Sequence, residues 1–126
     1  MQSVDTSVLV RLLTRDDPGQ TVRAEAFVAR GAWVSLVVLA EASWVLTSVY
    51  ERSPTDVATA VDGLLDHDRL VLQDPDVVRA AVDAFRKRPS VGLSDCLILE
   101  IARKAGHVPL GTLDRGLARS NGAEDV

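Results

Sequence analysis

Four acidic residues carry the chemistry that this chain could do: Asp5, Glu41, Asp95 and Asp114. Each stands at a junction between elements. Asp5 separates the short stretch Met1–Val4 from the helical pattern Val8–Leu13, and Glu41 lies less than two turns into the apolar helical run Leu36–Tyr50. Asp95 and Asp114 fall within one unit, VGLSDCLILEIARKAGHVPLGTLDR, from Val91 to Arg115. There Asp95 opens a helix, Gly106 stops it as a left-handed C-cap would, His107–Leu110 reads as a strand, Gly111 begins a turn and Asp114 follows. At about 100° per residue, Leu97, Ile98, Leu99, Ile101, Ala102 and Ala105 form one face, and Cys96, Glu100, Arg103 and Lys104 the other. Asp95 falls on the apolar side, so its carboxylate gains from the helix dipole while pointing toward the interior or a cleft.

Each acid also has an ordinary structural use. Asp5 could cap its helix, Asp114 could cap Arg115–Ala118, and Asp95 could serve only as a first-turn dipole partner. Glu41 is the most informative, because Val37, Val38, Ala42, Trp44 and Val45 leave it no polar face, and the alternative to a functional role is a buried pair with an arginine. Thr6, Ser7, Ser94 and Thr112 stand beside the acids. Their hydroxyls could orient carboxylates or water, or merely turn the backbone.

The elements that position these residues alternate. Strand, acid and helix at the start are followed by Asp17 as N-cap and Pro18 as first residue of a helix reaching Arg30, with Gly31 ending it. Ala32–Ser35 is a second strand, before Leu36–Tyr50. Ser53, Pro54 and Asp56 have capping-box spacing and start a helix whose body is Val57–Asp66. Leu70–Leu72 is a third strand, Asp74 and Pro75 start a helix through Lys87, and Asn121–Val126 offers a last edge strand. Alternation without hairpin signals requires crossover connections, hence a parallel sheet covered on both faces. In such a sheet ligands bind beyond the carboxyl ends of the strands. All four acids converge on that rim. Trp33 and Trp44 read as core or interface packing, and Arg86–Arg88 as a solvated helix end.

A length of 126 residues fits one domain, 1–126, and 47% hydrophobic with 25% charged residues is ordinary globular composition. No apolar run is long enough for a membrane span, no signal peptide is evident, and the single Cys96 excludes an internal disulfide, so a cytoplasmic location is expected. Net charge is −4, against the basic field usual for a nucleic-acid binder. If the four acids form one metal site, however, the remaining 14 acids balance the 14 Lys and Arg, and bound cations could meet phosphate.

The motifs V-D-T-S-V-L-V-R-L-L at residues 4 to 13, L-A-E-A-S-W-V-L at 39 to 46, L-S-D-C-L-I-L at 93 to 99 and G-T-L-D-R at 111 to 115 resemble those of PIN-domain ribonucleases, with length and order most like the VapC toxins of bacterial toxin–antitoxin pairs. The resemblance implies an α/β/α sandwich around a short-stranded central parallel sheet. It also implies an acidic Mg²⁺ or Mn²⁺ site made by Asp5, Glu41, Asp95 and Asp114, with Thr112 matching a hydroxyl frequent in the last motif. RNA as substrate, a homodimer and a cognate antitoxin covering the active-site groove follow from the same resemblance. Oxygen-only ligands suit these hard cations and would not select zinc. Asp5, Asp95 and Asp114 are expected to bind the metal, and Glu41 to hold it or to steer water. Two rival readings stand beside this one. A phosphatase or phosphotransfer domain would use Asp5 as nucleophile, although Ser7 stands where a dehalogenase-like enzyme wants a second Asp. A metal-stabilised module would bind RNA or protein without cutting.

Overall fold

Three strands of two or three residues set the order of the first part of the chain: β1 (Gln2–Ser3), β2 (Ala32–Val34) and β3 (Leu70–Leu72) lie parallel in the order β1-β2-β3. Gln2 pairs with Ala32, and Ala32, Trp33 and Val34 with Leu70, Val71 and Leu72. Parallel neighbours need a crossover, and helices supply it. Between β1 and β2 run α1 (Thr6–Thr14) and α2 (Pro18–Val28); between β2 and β3 run α3 (Leu36–Ser48) and α4 (Pro54–Asp66). The computed structural model describes residues 1–126, and these elements make up one of its two units, Met1–Pro75.

The helix starts obey the capping chemistry. Asp5, Asp17, Ser35 and Ser53 each accept a backbone N–H from the residue three places on, and Pro18 and Pro54 occupy first helical positions where no N–H is missed. Helix α1 packs against α2 and α3, α3 against α4, and α4 against β3. Helices α1 and α3 are tied at both ends. Thr6, the first residue of α1, meets Glu41 in the second turn of α3, and beyond where both helices end the Tyr50 hydroxyl donates to Asp16 at 2.9 Å, which also takes the Arg11 guanidinium.

One face of the sheet is buried through Ala32, Val34, Leu70 and Leu72, while the alternate residues Trp33 and Val71 remain partly exposed, so the expected cover on both faces is incomplete at these positions. Period-two alternation places successive side chains on opposite faces. Trp33 is therefore not core, and Trp44 on α3 is exposed as well.

The second unit, Asp76–Val126, contains most of α5 (Pro75–Lys87), a 3-10 turn at Pro89–Val91, α6 (Leu93–Ala105), β4 (Leu110–Thr112), α7 (Arg115–Ala118) and β5 (Ala123–Asp125). β4 and β5 form their own parallel ladder, Leu110 with Ala123 and Thr112 with Asp125. The expected strand at His107–Leu110 thus lies further along: Pro109 has no N–H to give, and the ladder begins at Leu110, which donates to Gly122. Gly106 does end α6 in the left-handed conformation, at φ 82°.

The basic run at the end of α5 is not simply solvated. Arg88 is half-buried, donating to the carbonyl of Gly116 at 2.7 Å and the hydroxyl of Ser120 at 3.2 Å. A four-residue helix cannot hold itself. Arg88 anchors it from α5. No helix of the chain is long and apolar enough to cross a membrane. Arg88→Met should cost about 1.5–3 kcal/mol, the range for hydrogen bonds to a charged group, seen as a lower urea midpoint with unchanged slope. An equal loss in Arg79→Met, on the exposed side of α5, would show that Arg88 acts only through surface charge.

Candidate active site

The first unit brings two of the acids together at the start of α1. Asp5 follows β1 in extended conformation, and its Oδ1 accepts from the Ser7 hydroxyl at 2.6 Å and from the Val8 N–H at 3.2 Å. These donors, Ser7 foremost, hold its carboxyl below the usual carboxylate range. Thr6 turns the other way. Its hydroxyl donates to Oε2 of Glu41 at 2.7 Å, joining α1 to α3. The start of α3 is itself fixed twice, by the Ser35 cap on Val38 and by the Gln73 side-chain oxygen, which accepts from the Leu36 N–H at 2.9 Å. Gln73, at the end of β3, gave no signal in the sequence.

Glu41 is exposed, which corrects the buried position that its apolar neighbours suggested. Val37, Glu41, Trp44 and Ser48 recur at three- and four-residue spacing along one exposed stripe of α3, with Val37 at 68% and Trp44 at 62% exposure. Apolar sequence all round a helix does not tell which face is covered.

The second unit pairs the other two. Asp95 is the third residue of α6 and half-buried; burial first, and then the negative charge of Asp114, push its carboxyl above the usual range. Asp114 follows β4, caps α7 through Oδ1 on the Leu117 N–H at 3.0 Å, and has its own N–H on the Thr112 hydroxyl at 3.0 Å. Space for that cap depends on Gly116, where an added Cβ would stand 3.1 Å from the same Oδ1. Ser94 is half-buried beside Asp95 in sequence.

Around α6 the expected faces hold for Leu97, Leu99, Arg103 and Lys104 but not for Cys96, Ile98 and Ile101. Leu93, Cys96, Leu97 and Leu99 are buried, whereas Ile98 and Ile101 are exposed. Burial, then the charges of Asp95 and Glu100, push the Cys96 thiol up to about 11, so it stays protonated and unreactive at neutral pH.

Glu41 is thus joined to α1 through Thr6, the neighbour of Asp5, and Asp114 lies close enough to Asp95 for its charge to act there, each association within its own unit. No group of three or more Asp, Glu, His or Cys side chains gathers at metal-holding distance. In chemistry the donors fit a hard divalent cation, being carboxylate oxygens throughout. The mutual charge of Asp95 and Asp114 is the kind of repulsion that a cation relieves.

The PIN domain family matches residues 3–122 of this chain, a span that takes in all four acids and reaches into both units. Comparison with curated proteins and with solved structures gives no match.

Asp5 and Asp95 respond to pH with opposite sign. Asp5 has a lowered pKa, so the stability it lends is present above its unfolded pKa, about 3.9, and is lost as pH falls through the folded value. Asp95 has a raised pKa. Its protonated form favours the fold, and that contribution fades as pH rises through the folded value. Asp95→Asn should consequently melt at or above the wild type at neutral pH in EDTA, the helix-dipole loss being only about 0.3–1 kcal/mol, with the advantage shrinking toward pH ~4. A variant that melts lower at neutral pH in EDTA would make Asp95 a helix-start residue and nothing more.

Proposed function

Since the chain belongs to the PIN domain family, whose fold is generally that of a metal-dependent nuclease, we propose that it is an endoribonuclease using Mg²⁺ or Mn²⁺. Asp5, Glu41, Asp95 and Asp114 form its metal-binding and catalytic site, within one domain that spans residues 1–126. The observation that carries this reading is that Asp5 and Asp114 each follow a strand and cap the next helix, while the Ser7 and Thr6 hydroxyls hold Asp5 and Glu41 and the Thr112 hydroxyl takes the Asp114 N–H.

Asp5, Asp95 and Asp114 supply the oxygens that would hold the ion. When bound there, a divalent ion neutralises charge on the phosphodiester and lowers the pKa of water. The side chains have distinct parts. Ser7 keeps Asp5 ionised and ready to donate oxygen, while Thr112 and the α7 cap fix the direction of Asp114. Thr6 holds Glu41 by Oε2, which leaves Oε1 to orient a water or accept its proton. Asp95 holds its proton above the usual carboxylate range in the absence of a cation, so its affinity for metal rises with pH.

The physiological role that suits such a chain is the toxin of a toxin–antitoxin pair, acting as a homodimer on RNA. The cognate antitoxin would place an apolar helix along the groove and a basic side chain among the carboxylates, where its charge stands in for that of the metal.

Four measurements test these statements. Folded protein, free of antitoxin, should cut at least one member of a panel of tRNA, rRNA fragments and mRNA with Mg²⁺ or Mn²⁺, and should stop in EDTA. No cleavage under any of these conditions would falsify the nuclease reading. Growth arrest on expression should disappear in Asp5→Ala, and Mg²⁺ should raise the wild-type melting midpoint more than that of Asp95→Asn, since a ligand of the folded state alone stabilises it. Equal gains would remove Asp95 from the metal site. The product of a neighbouring reading frame should co-purify and block cleavage at saturation; cleavage unchanged in that complex would rule out occlusion.

A further inference from the structure

Beside the first pair of acids lies a cavity of about 410 Å³ between α1 and α2, lined by Ser7, Arg11, Gln20, Arg23 and Phe27 among others. Its size is within the ~300–1,000 Å³ of small-ligand sites. Ser7 connects it directly to the acids, since the same residue lines the cavity and donates to Asp5. Of its two arginines, Arg11 is already engaged with Asp16 and Gln20. Arg23 is exposed and makes neither ion pair nor hydrogen bond. One turn further along α2 stands Phe27, 36% exposed, with the Arg30 guanidinium 5.5 Å from its ring centre. Arg30 is itself held by Gln2 at 3.0 Å, and Gln2 donates to the Phe27 carbonyl at 2.6 Å. Arg23 and Phe27, four residues apart, share one side of α2, and Arg30 in the turn after the helix lies over the Phe27 ring, so a cation, an aromatic ring and a second cation lie in succession.

We propose that this cavity and stripe form a nucleotide subsite for the RNA strand next to the scissile position, with Arg23 on a phosphate and Phe27 stacking on a base. The proposal rests on the nuclease reading above. A single-stranded nucleic acid is bound by cations that track its backbone and aromatic side chains that receive its bases. Here that pattern is local: the chain as a whole carries a net charge of −4, so its overall field does not attract phosphate, and a cation with no partner must do so site by site. Arg30 keeps the ring in place and adds charge beside it. Stacking tolerates any base, so the subsite contributes affinity and register and leaves sequence preference to other contacts.

The test measures binding separately from cleavage. A fluorescein-labelled oligouridylate is titrated in EDTA, over a range of salt, with wild type, Arg23→Ala, Arg23→Lys, Phe27→Ala, Phe27→Trp and, as a control for charge, Arg79→Ala on the exposed side of α5. Phe27→Ala should weaken binding about tenfold and Phe27→Trp should restore it. Arg23→Ala should reduce the slope of log affinity against log salt by about 0.7, the value for one phosphate on a single strand, and Arg23→Lys should keep it. Arg79→Ala should leave the slope unchanged. The subsite is overturned if wild type does not bind the oligonucleotide, if the cavity variants bind as wild type does, or if Arg79→Ala costs as much as Arg23→Ala. Its failure is separable from failure of the nuclease reading. Binding through Arg23 and Phe27 by a protein that cuts no RNA with either metal would sink the nuclease alone, whereas cleavage with binding indifferent to both residues would sink the subsite alone.

Discussion

The crossover between parallel strands is the constraint on which everything else here depends. A parallel neighbour cannot be reached by a tight turn, so β1 and β2 must each hand the chain to a helix at the same edge of their sheet. Every such hand-over leaves unpaired N–H groups at the new helix, and a short polar side chain before it answers them. Asp5 and Ser35 do this in the first unit, and in the second unit Asp114 does it after β4. Local backbone chemistry thereby gathers acceptor side chains at the strand ends of each sheet, before any demand of catalysis is considered.

Capping and chemistry need not compete for the same atoms. An ionised carboxylate offers two oxygens and about four acceptor positions. Asp114 gives Oδ1 to the Leu117 N–H, and Asp5 gives Oδ1 to Ser7 and Val8, without using up that capacity. The cap costs the carboxylate freedom of rotation, which for a metal ligand is an advantage because the direction is already set. Thr6 does for Glu41 across two helices what backbone N–H groups do for the aspartates. The hydroxyls beside the acids are therefore supports, and the capping and functional readings of the aspartates turn out to be compatible.

Much of this was legible in the sequence because it is local. The caps at Asp17 and Ser53, the proline at each following position, the left-handed Gly106 and the helix spans between them depend on neighbours within a turn, and the α/β class with parallel strands follows from their alternation. What depends on distant partners was not. Nothing in the composition of α3 distinguishes a covered face from the stripe of Val37, Glu41 and Trp44, and apolar residues spread around α6 concealed that Cys96 faces inward while Ile98 and Ile101 do not. Arg88 looked like the end of a charge run because its acceptors, Gly116 and Ser120, lie about thirty residues away. The second ladder begins at Leu110 and not at His107 for a simpler reason: pairing with β5 decides which residues are strand.

Gly116 puts a limit on how far this chain can be improved as a scaffold. Helix propensity would recommend alanine there, as it does for most helical glycines. A methyl group at that position would press on the oxygen through which Asp114 caps α7, 3.1 Å away, on the same residue whose carbonyl receives Arg88. Helix propensity and a well-aimed carboxylate thus pull in opposite directions at this one place, and an engineer choosing substitutions by propensity alone would press on the very cap that starts the helix.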